Sequence, residues 1–173
     1  MQIYESPFIF EFPDGIVCLR HDALDNGDGN NVWPGIDIRV ETPGRHLWIE
    51  VKSWNIPDLQ DETLKTRISK DFQSKLATKK MEKFRDDIFG KFLGTTSFLS
   101  WSGIGIPENV TYIILLQPPT RSGSALLGPF QTRLREHFKN AVSTKWGRRI
   151  KYQVMDVDAF RKAFPDYLIT NQK

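Results

Sequence analysis

Residues 35–54, GIDIRVETPGRHLWIEVKSW, decide the fold of this chain. Two alternating apolar/polar runs, residues 36–41 and 47–54, flank Thr42-Pro43-Gly44-Arg45, and together they read as a β-hairpin. Side chains alternate across a strand, so each run has two faces. Ile36, Ile38 and Val40 share one face of the first run, leaving Asp37, Arg39 and Glu41 on the other. In the second run Leu47, Ile49 and Val51 share a face, leaving Trp48, Glu50, Lys52 and Trp54 opposite. A symmetric turn centred on Pro43-Gly44 sets Val40 across from Leu47, Ile38 from Ile49 and Ile36 from Val51. All six apolar side chains then fall on one face, as a buried face requires.

The same register sets Asp37 directly across from Glu50, with Cβ atoms roughly 5 Å apart. Two opposed carboxylates destabilise a sheet, raise one pKa or recruit a cation. A divalent metal resolves the conflict, because Mg²⁺ takes one or two carboxylates and completes its shell with water and phosphate oxygens. Lys52, one pleat beyond Glu50, is placed to hold or activate a water beside that metal. Two acids, an amine and basic surroundings suffice for metal-assisted phosphodiester hydrolysis. The plain alternative is an exposed hairpin face whose Glu/Lys pair contributes ~0–1 kcal/mol.

Outward from the hairpin, Pro7 to Asp22 reads as a second hairpin, FIFEF and IVCLR about a turn at Pro13-Asp14-Gly15. Residues 22–35 are rich in Asp, Asn and Gly and read as a loop. From about Leu59 to Leu93 the period becomes helical, with Ile68, Phe72, Leu76, Met81, Phe84, Ile88 and Phe92 on one stripe and Gly94 as the stop. VTYIILLQ (110–117) reads as a strand buried on both faces. A helix carrying Phe130, Leu134, Phe138, Ala141 and Val142 follows, then a strand, IKYQVMDV, and a short helix from about Asp156 to Phe164. This order predicts an α/β fold of the mixed, α+β kind: a central mixed sheet flanked by helices, with an extra N-terminal β-hairpin, in one domain spanning 1–173.

The 173 residues suit one domain, and 39% hydrophobic with 26% charged residues suits one packed core rather than disorder. No apolar run approaches the ~20 residues of a membrane span, and the N-terminus does not read as a secretion signal. A cytoplasmic location is the expectation. A single cysteine, Cys18, excludes an internal disulfide or a multi-cysteine zinc site. The net charge of +3 is unevenly spread: residues 1–62 hold 4 Lys/Arg against 12 Asp/Glu, residues 63–92 hold 9 against 4, and residues 131–151 hold 7 against 1. An acidic third followed by two basic segments suits a cation site beside a polyanion-binding surface. Lys70, Lys75, Lys79, Lys80, Arg133, Arg135, Arg148 and Arg149 are the candidate phosphate contacts. Each phosphate they neutralise on duplex DNA would steepen the salt dependence of binding by roughly 0.9. Basic helices that are merely solvated are the alternative.

Gly35-Ile36-Asp37-Ile38 followed by Ile49-Glu50-Val51-Lys52 resembles the PD-(D/E)XK superfamily of restriction-endonuclease-like nucleases, whose signature is an Asp opening one core strand and a Glu/Asp-X-Lys in the next. The resemblance covers mainly residues 34–54 and, more weakly, the order of elements to about residue 155, and it implies a restriction-endonuclease-like core, a mixed four-stranded sheet flanked by helices. It implies Mg²⁺-dependent cleavage of nucleic acid (Mn²⁺ substituting), with Asp37, Glu50 and the Val51 carbonyl as metal ligands. Lys52 would then position the attacking hydroxide or stabilise the pentavalent transition state. The family's proline is displaced, since Pro34 precedes Asp37 by three residues. Gln73 and, less well, Glu11 or Glu5 are the accessory candidates.

The function expected is a DNA endonuclease, with a homodimer or larger assembly left open. The rivals are a nuclease-like domain that binds DNA without cutting it and a protein-interaction domain. Other features are read blandly. Trp48 and Trp54 are expected to pack under the long helix, the alternative being a base-stacking groove. The Asp22–Gly29 loop fits no calcium-loop spacing. His21, His46 and His137 lack ligand spacing, Cys18 is expected to be buried, and Gly103-Ile104-Gly105 is no dinucleotide site.

Overall fold

The computed structural model describes residues 1–20, 34–53, 79–117, 132, 136 and 150–171. Among these the order is β1 (Gln2–Glu5), β2 (Phe8–Glu11), β3 (Val17–Arg20), β4 (Ile38–Thr42), β5 (Arg45–Ser53), α1 (Lys79–Trp101), β6 (Val110–Gln117), β7 (Ile150–Met155), α2 (Val157–Ala163) and β8 (Leu168–Asn171). The central sheet has the order β3-β4-β5-β6-β7. The β3-β4 and β4-β5 pairs are antiparallel, whereas β5-β6 and β6-β7 are parallel. The fold is α/β with an open, mixed five-stranded sheet.

The β4–β5 hairpin forms as the alternation predicts, with Ile38 paired to Ile49, Val40 to Leu47 and Thr42 to Arg45. Proline holds φ near −65° at Pro43 and Gly44 has φ +76°, the combination of a type II turn. β6 is sandwiched on both sides, with Tyr112 through Leu116 all buried. α2 is started by Asp156, whose carboxylate accepts from Ala159 N at 2.8 Å.

Alternation sorts the core into two layers. Leu47, Ile49, Val51, Ile113 and Leu115 face α2 and a second sheet, of order β1-β2-β8, and pack with Phe8, Phe10, Phe160 and Ile169. Trp48, Tyr112, Ile114 and Leu116 face α1 and pack with Ile88, Phe92 and Leu99. Trp48 is therefore buried under the long helix, 5.9 Å from the Phe92 ring.

Three expectations are corrected. Phe8–Glu11 and Val17–Arg20 are not a hairpin: β2 pairs with β1 and β8, and β3 pairs with β4. The N-terminal hairpin is β1–β2, so the Pro13-Asp14-Gly15 segment carries the chain between two sheets. Gly94 does not end the helix, which runs on to Trp101. A Cβ there would lie 1.8 Å from the Pro34 carbonyl oxygen, so this glycine admits a close backbone approach. Finally, Ile36 leaves the face shared by Ile38 and Val40 and joins the α1 layer. The helix expected to carry Phe130 to Val142, the first part (59–78) of the long helical pattern and Trp54 lie outside the described residues, except that Thr132 and Glu136 are helical.

Candidate active site

The departure of Ile36 from the sheet builds the site. In a two-residue hairpin the pair closing the turn is of the hydrogen-bonded kind, and the kinds then alternate. Counting back from Thr42 and Arg45, Ile36 and Val51 would exchange backbone hydrogen bonds, and Asp37 and Glu50 would be a close, non-bonded pair. The chain turns away at Asp37 instead. Ile36 N donates to Thr95 Oγ1 in α1 at 3.0 Å, and Pro34 rests against Gly94. The Val51 N–H released by this turn donates to Asp37 Oδ2 at 2.6 Å. A strand residue's N–H and C=O leave on the same side, so the Val51 carbonyl also faces the side of Asp37.

Asp37 is 3% exposed and Glu50 0%. One ammonium bridges them: Lys91 Nζ lies 2.6 Å from Asp37 Oδ1 and 2.8 Å from Glu50 Oε1. Lys52 Nζ contacts the same Glu50 oxygen at 2.8 Å and also Asp87 Oδ2. Glu50 Oε2 is buried without a hydrogen-bond partner. Behind these groups Tyr112 Oη donates to the Ile88 carbonyl at 3.1 Å, and Phe92 packs, its ring tilted to both, between Trp48 and Tyr112.

The titration behaviour follows from this packing. Burial, reinforced by the charge of Asp37, pushes Glu50 up to about 7, against the pull of Lys91 and Lys52. Burial alone would lower Lys52, but Glu50's charge and hydrogen bonds to Asp87 and Glu50 outweigh it, so Lys52 titrates above its usual value. Lys91 is driven up more strongly, the charges of Glu50 and Asp37 outweighing its own burial. Both lysines are therefore ammonium groups at neutral pH.

Asp37, Glu50 and Lys52 are thus brought together. Glu11 is not: it lies in β2 of the second sheet, where its Oε1 accepts from Gln2 Nε2 at 2.7 Å, and Glu5 lies in β1 of that sheet. Lys79 and Lys80 open α1, their side chains outside the described set. Lys70, Lys75, Gln73, Arg133, Arg135, Arg148 and Arg149 lie outside the described residues. Sequence reasoning missed Lys91 and Asp87. Their signal was the spacing Asp87, Lys91, Gly94, Thr95, a stripe of polar and small residues on α1 beside the apolar stripe of Ile88 and Phe92.

Two carboxylates with an unpartnered buried oxygen, held around a cation that is already present as an ammonium, suit a divalent metal with oxygen ligands. Among the described residues no group of three or more His, Cys, Asp or Glu side chains converges. Water, phosphate or the Val51 carbonyl would have to complete a metal's shell. No family model, no curated protein and no solved structure matches this chain.

Proposed function

We propose that this chain is a metal-dependent nuclease that hydrolyses phosphodiester bonds of DNA, acting as an endonuclease on a restriction-endonuclease-like core. The observation that carries the reading is the buried pair of carboxylates, one at the entrance to β4 and one within β5, sharing a single cation across a gap. Burying an ionised carboxylate is costly unless it is paired, and apolar side chains of similar volume would serve stability as well or better. A site that keeps two acids, with one oxygen unpartnered, is built for a cation. Further support comes from the placement of Asp37 before one strand and Glu50-Val51-Lys52 in the next, within a mixed sheet that has a helix on each face.

Asp37 and Glu50 would hold Mg²⁺ or Mn²⁺, with the Val51 carbonyl on the same side of β5. Bound there, the metal supplies Lewis-acid polarisation of the phosphate and a water of lowered pKa. The protein does the rest. The Val51 N–H fixes the aim of Asp37, and Asp87 and Glu50 hold Lys52. Lys52, kept protonated, orients the attacking water and donates to the oxygens of the pentavalent phosphorus. DNA would be gripped through the basic segments 63–92 and 131–151, a salt-sensitive contact.

The test is cleavage of plasmid and single-stranded DNA with and without Mg²⁺ or Mn²⁺. Asp37→Ala and Lys52→Ala should each lower Mg²⁺-dependent cleavage by roughly 10²–10³-fold or more, with the circular dichroism spectrum of the wild type. Unchanged cleavage in either variant sinks the mechanism. One observation favours a second reading, a nuclease-like domain that binds DNA or a protein partner without cutting. Lys91 and Lys52 already neutralise the two buried acids. Salt-sensitive DNA binding with no turnover in either metal would select it.

A further inference from the structure

We propose that Lys91 is a built-in counter-cation that holds the gap between Asp37 and Glu50 and must leave it for a divalent cation to enter. The chain thereby sets how tightly its own site takes metal. This inference rests on the metal-site reading above and assigns a role to a residue outside the Asp…Glu-X-Lys pattern.

Lys91 is the described cation that touches both acids; Lys52 touches Glu50 and Asp87. Mg²⁺ binds oxygens at about 2.0–2.1 Å. Two carboxylate oxygens that both lie within 2.8 Å of one Nζ cannot admit that ion without losing the ammonium. Occupancy of the gap is therefore exclusive.

The surrounding structure suits an exchange. Asp37 keeps its Oδ2 on the Val51 N–H whichever cation sits at Oδ1, so the acid stays aimed when Lys91 departs. The segment leading into Asp37 is tied to α1 through Thr95 and the approach at Gly94, so the gap itself is held by backbone. Lys91 is attached by a flexible four-carbon stem and is 21% exposed, which leaves its ammonium a way out to solvent. Glu50 Oε2, fully buried and unpartnered, is the atom that gains a partner when a multidentate cation replaces a single ammonium.

The experiment measures Mn²⁺ affinity calorimetrically, without DNA, in the wild type, Lys91→Met and Lys52→Met. Lys91→Met should bind Mn²⁺ at least about tenfold more tightly than wild type, the modest end of what one competing charge at contact distance is worth. Lys52→Met, which removes an equal charge that touches only one of the two acids, should change affinity less. Equal or weaker binding in Lys91→Met overturns the proposal while leaving the metal site standing, and so does equal tightening in both variants. Absence of Mn²⁺ binding in all three proteins overturns the metal-site reading and this proposal together. Removing Lys91 leaves two buried acids without their shared counter-charge and can unfold the metal-free chain, so the wild type carries a second test. Amine acylation read by peptide mass should rise several-fold at Lys91 when Mn²⁺ binds. Unchanged labelling at Mn²⁺ saturation overturns the exchange.

Discussion

The two faces of β5 obey different rules although they alternate along the same nine residues. Leu47, Ile49 and Val51 look toward α2 and the second sheet, into a layer whose buried members are all hydrophobic. Trp48, Glu50 and Lys52 look toward α1. On that side lie Asp37, Arg39 and Glu50, with Thr95 and Thr96 in the helix itself, which are all the buried polar or charged residues among those described. Trp48 Nε1, Arg39 Nη1 and Glu50 Oε2 are buried there without partners. The first face is what packing alone selects. The second keeps charges that packing would remove, so its composition answers to something other than stability.

Substitutions one residue apart should separate the faces. Glu50→Gln should lower metal-dependent cleavage by at least roughly 10³-fold, as expected when a charge acting in the transition state is lost, while the melting temperature holds or rises. Ile49→Ala should do the reverse, costing about 2–5 kcal/mol in denaturant unfolding with little change in cleavage by the protein that remains folded. If Glu50→Gln destabilises as much as Ile49→Ala, the two faces are alike and the contrast fails.

pH sharpens the same contrast. Glu50 releases its proton near pH 4.5 in the unfolded chain and near 7 in the folded one. The native state therefore holds the extra proton between these values, and stability falls as pH rises through that window, by an amount of order 3 kcal/mol when complete. Urea unfolding of the metal-free protein from pH 4.5 to 8 should show this loss, and Glu50→Gln should flatten it. Cleavage at limiting metal should move oppositely, rising with pH as Glu50 becomes anionic.

The smallest effects lie on α1. Gly94→Ala drives a methyl into the Pro34 carbonyl and should cost about 1–3 kcal/mol, with loss of cleavage because Asp37 is carried on that segment. Gly90→Ala meets nothing within 4 Å and should stabilise by about 0.5–1 kcal/mol through helix propensity. Equal responses in thermal melts would show that the helix does not aim Asp37.

Short-range patterns are legible in the sequence. The turn residues and two-residue period yielded the β4–β5 register, and the unbroken apolar run of 110–117 marked a strand covered on both sides. The pairing of β2 was misread because a turn signal shows that a chain reverses, not which sheet receives it. Gly94 was misread because a stop and a close approach need the same missing Cβ.

Residue alternation and turn chemistry, both local, determined the hairpin pairing from Thr42–Arg45 to Ile38–Ile49 and so brought the chain at Asp37 near Glu50. Only the tertiary structure decided that Lys91 joins them and that the chain bends at Asp37 to hand the Val51 N–H to a carboxylate. Those outcomes depend on where a helix dozens of residues later comes to rest, and its seat is set by the Pro34–Gly94 approach and by the packing of Trp48, Phe92 and Tyr112. Such contacts follow from the shapes of surfaces that meet in space, which no period along the chain encodes.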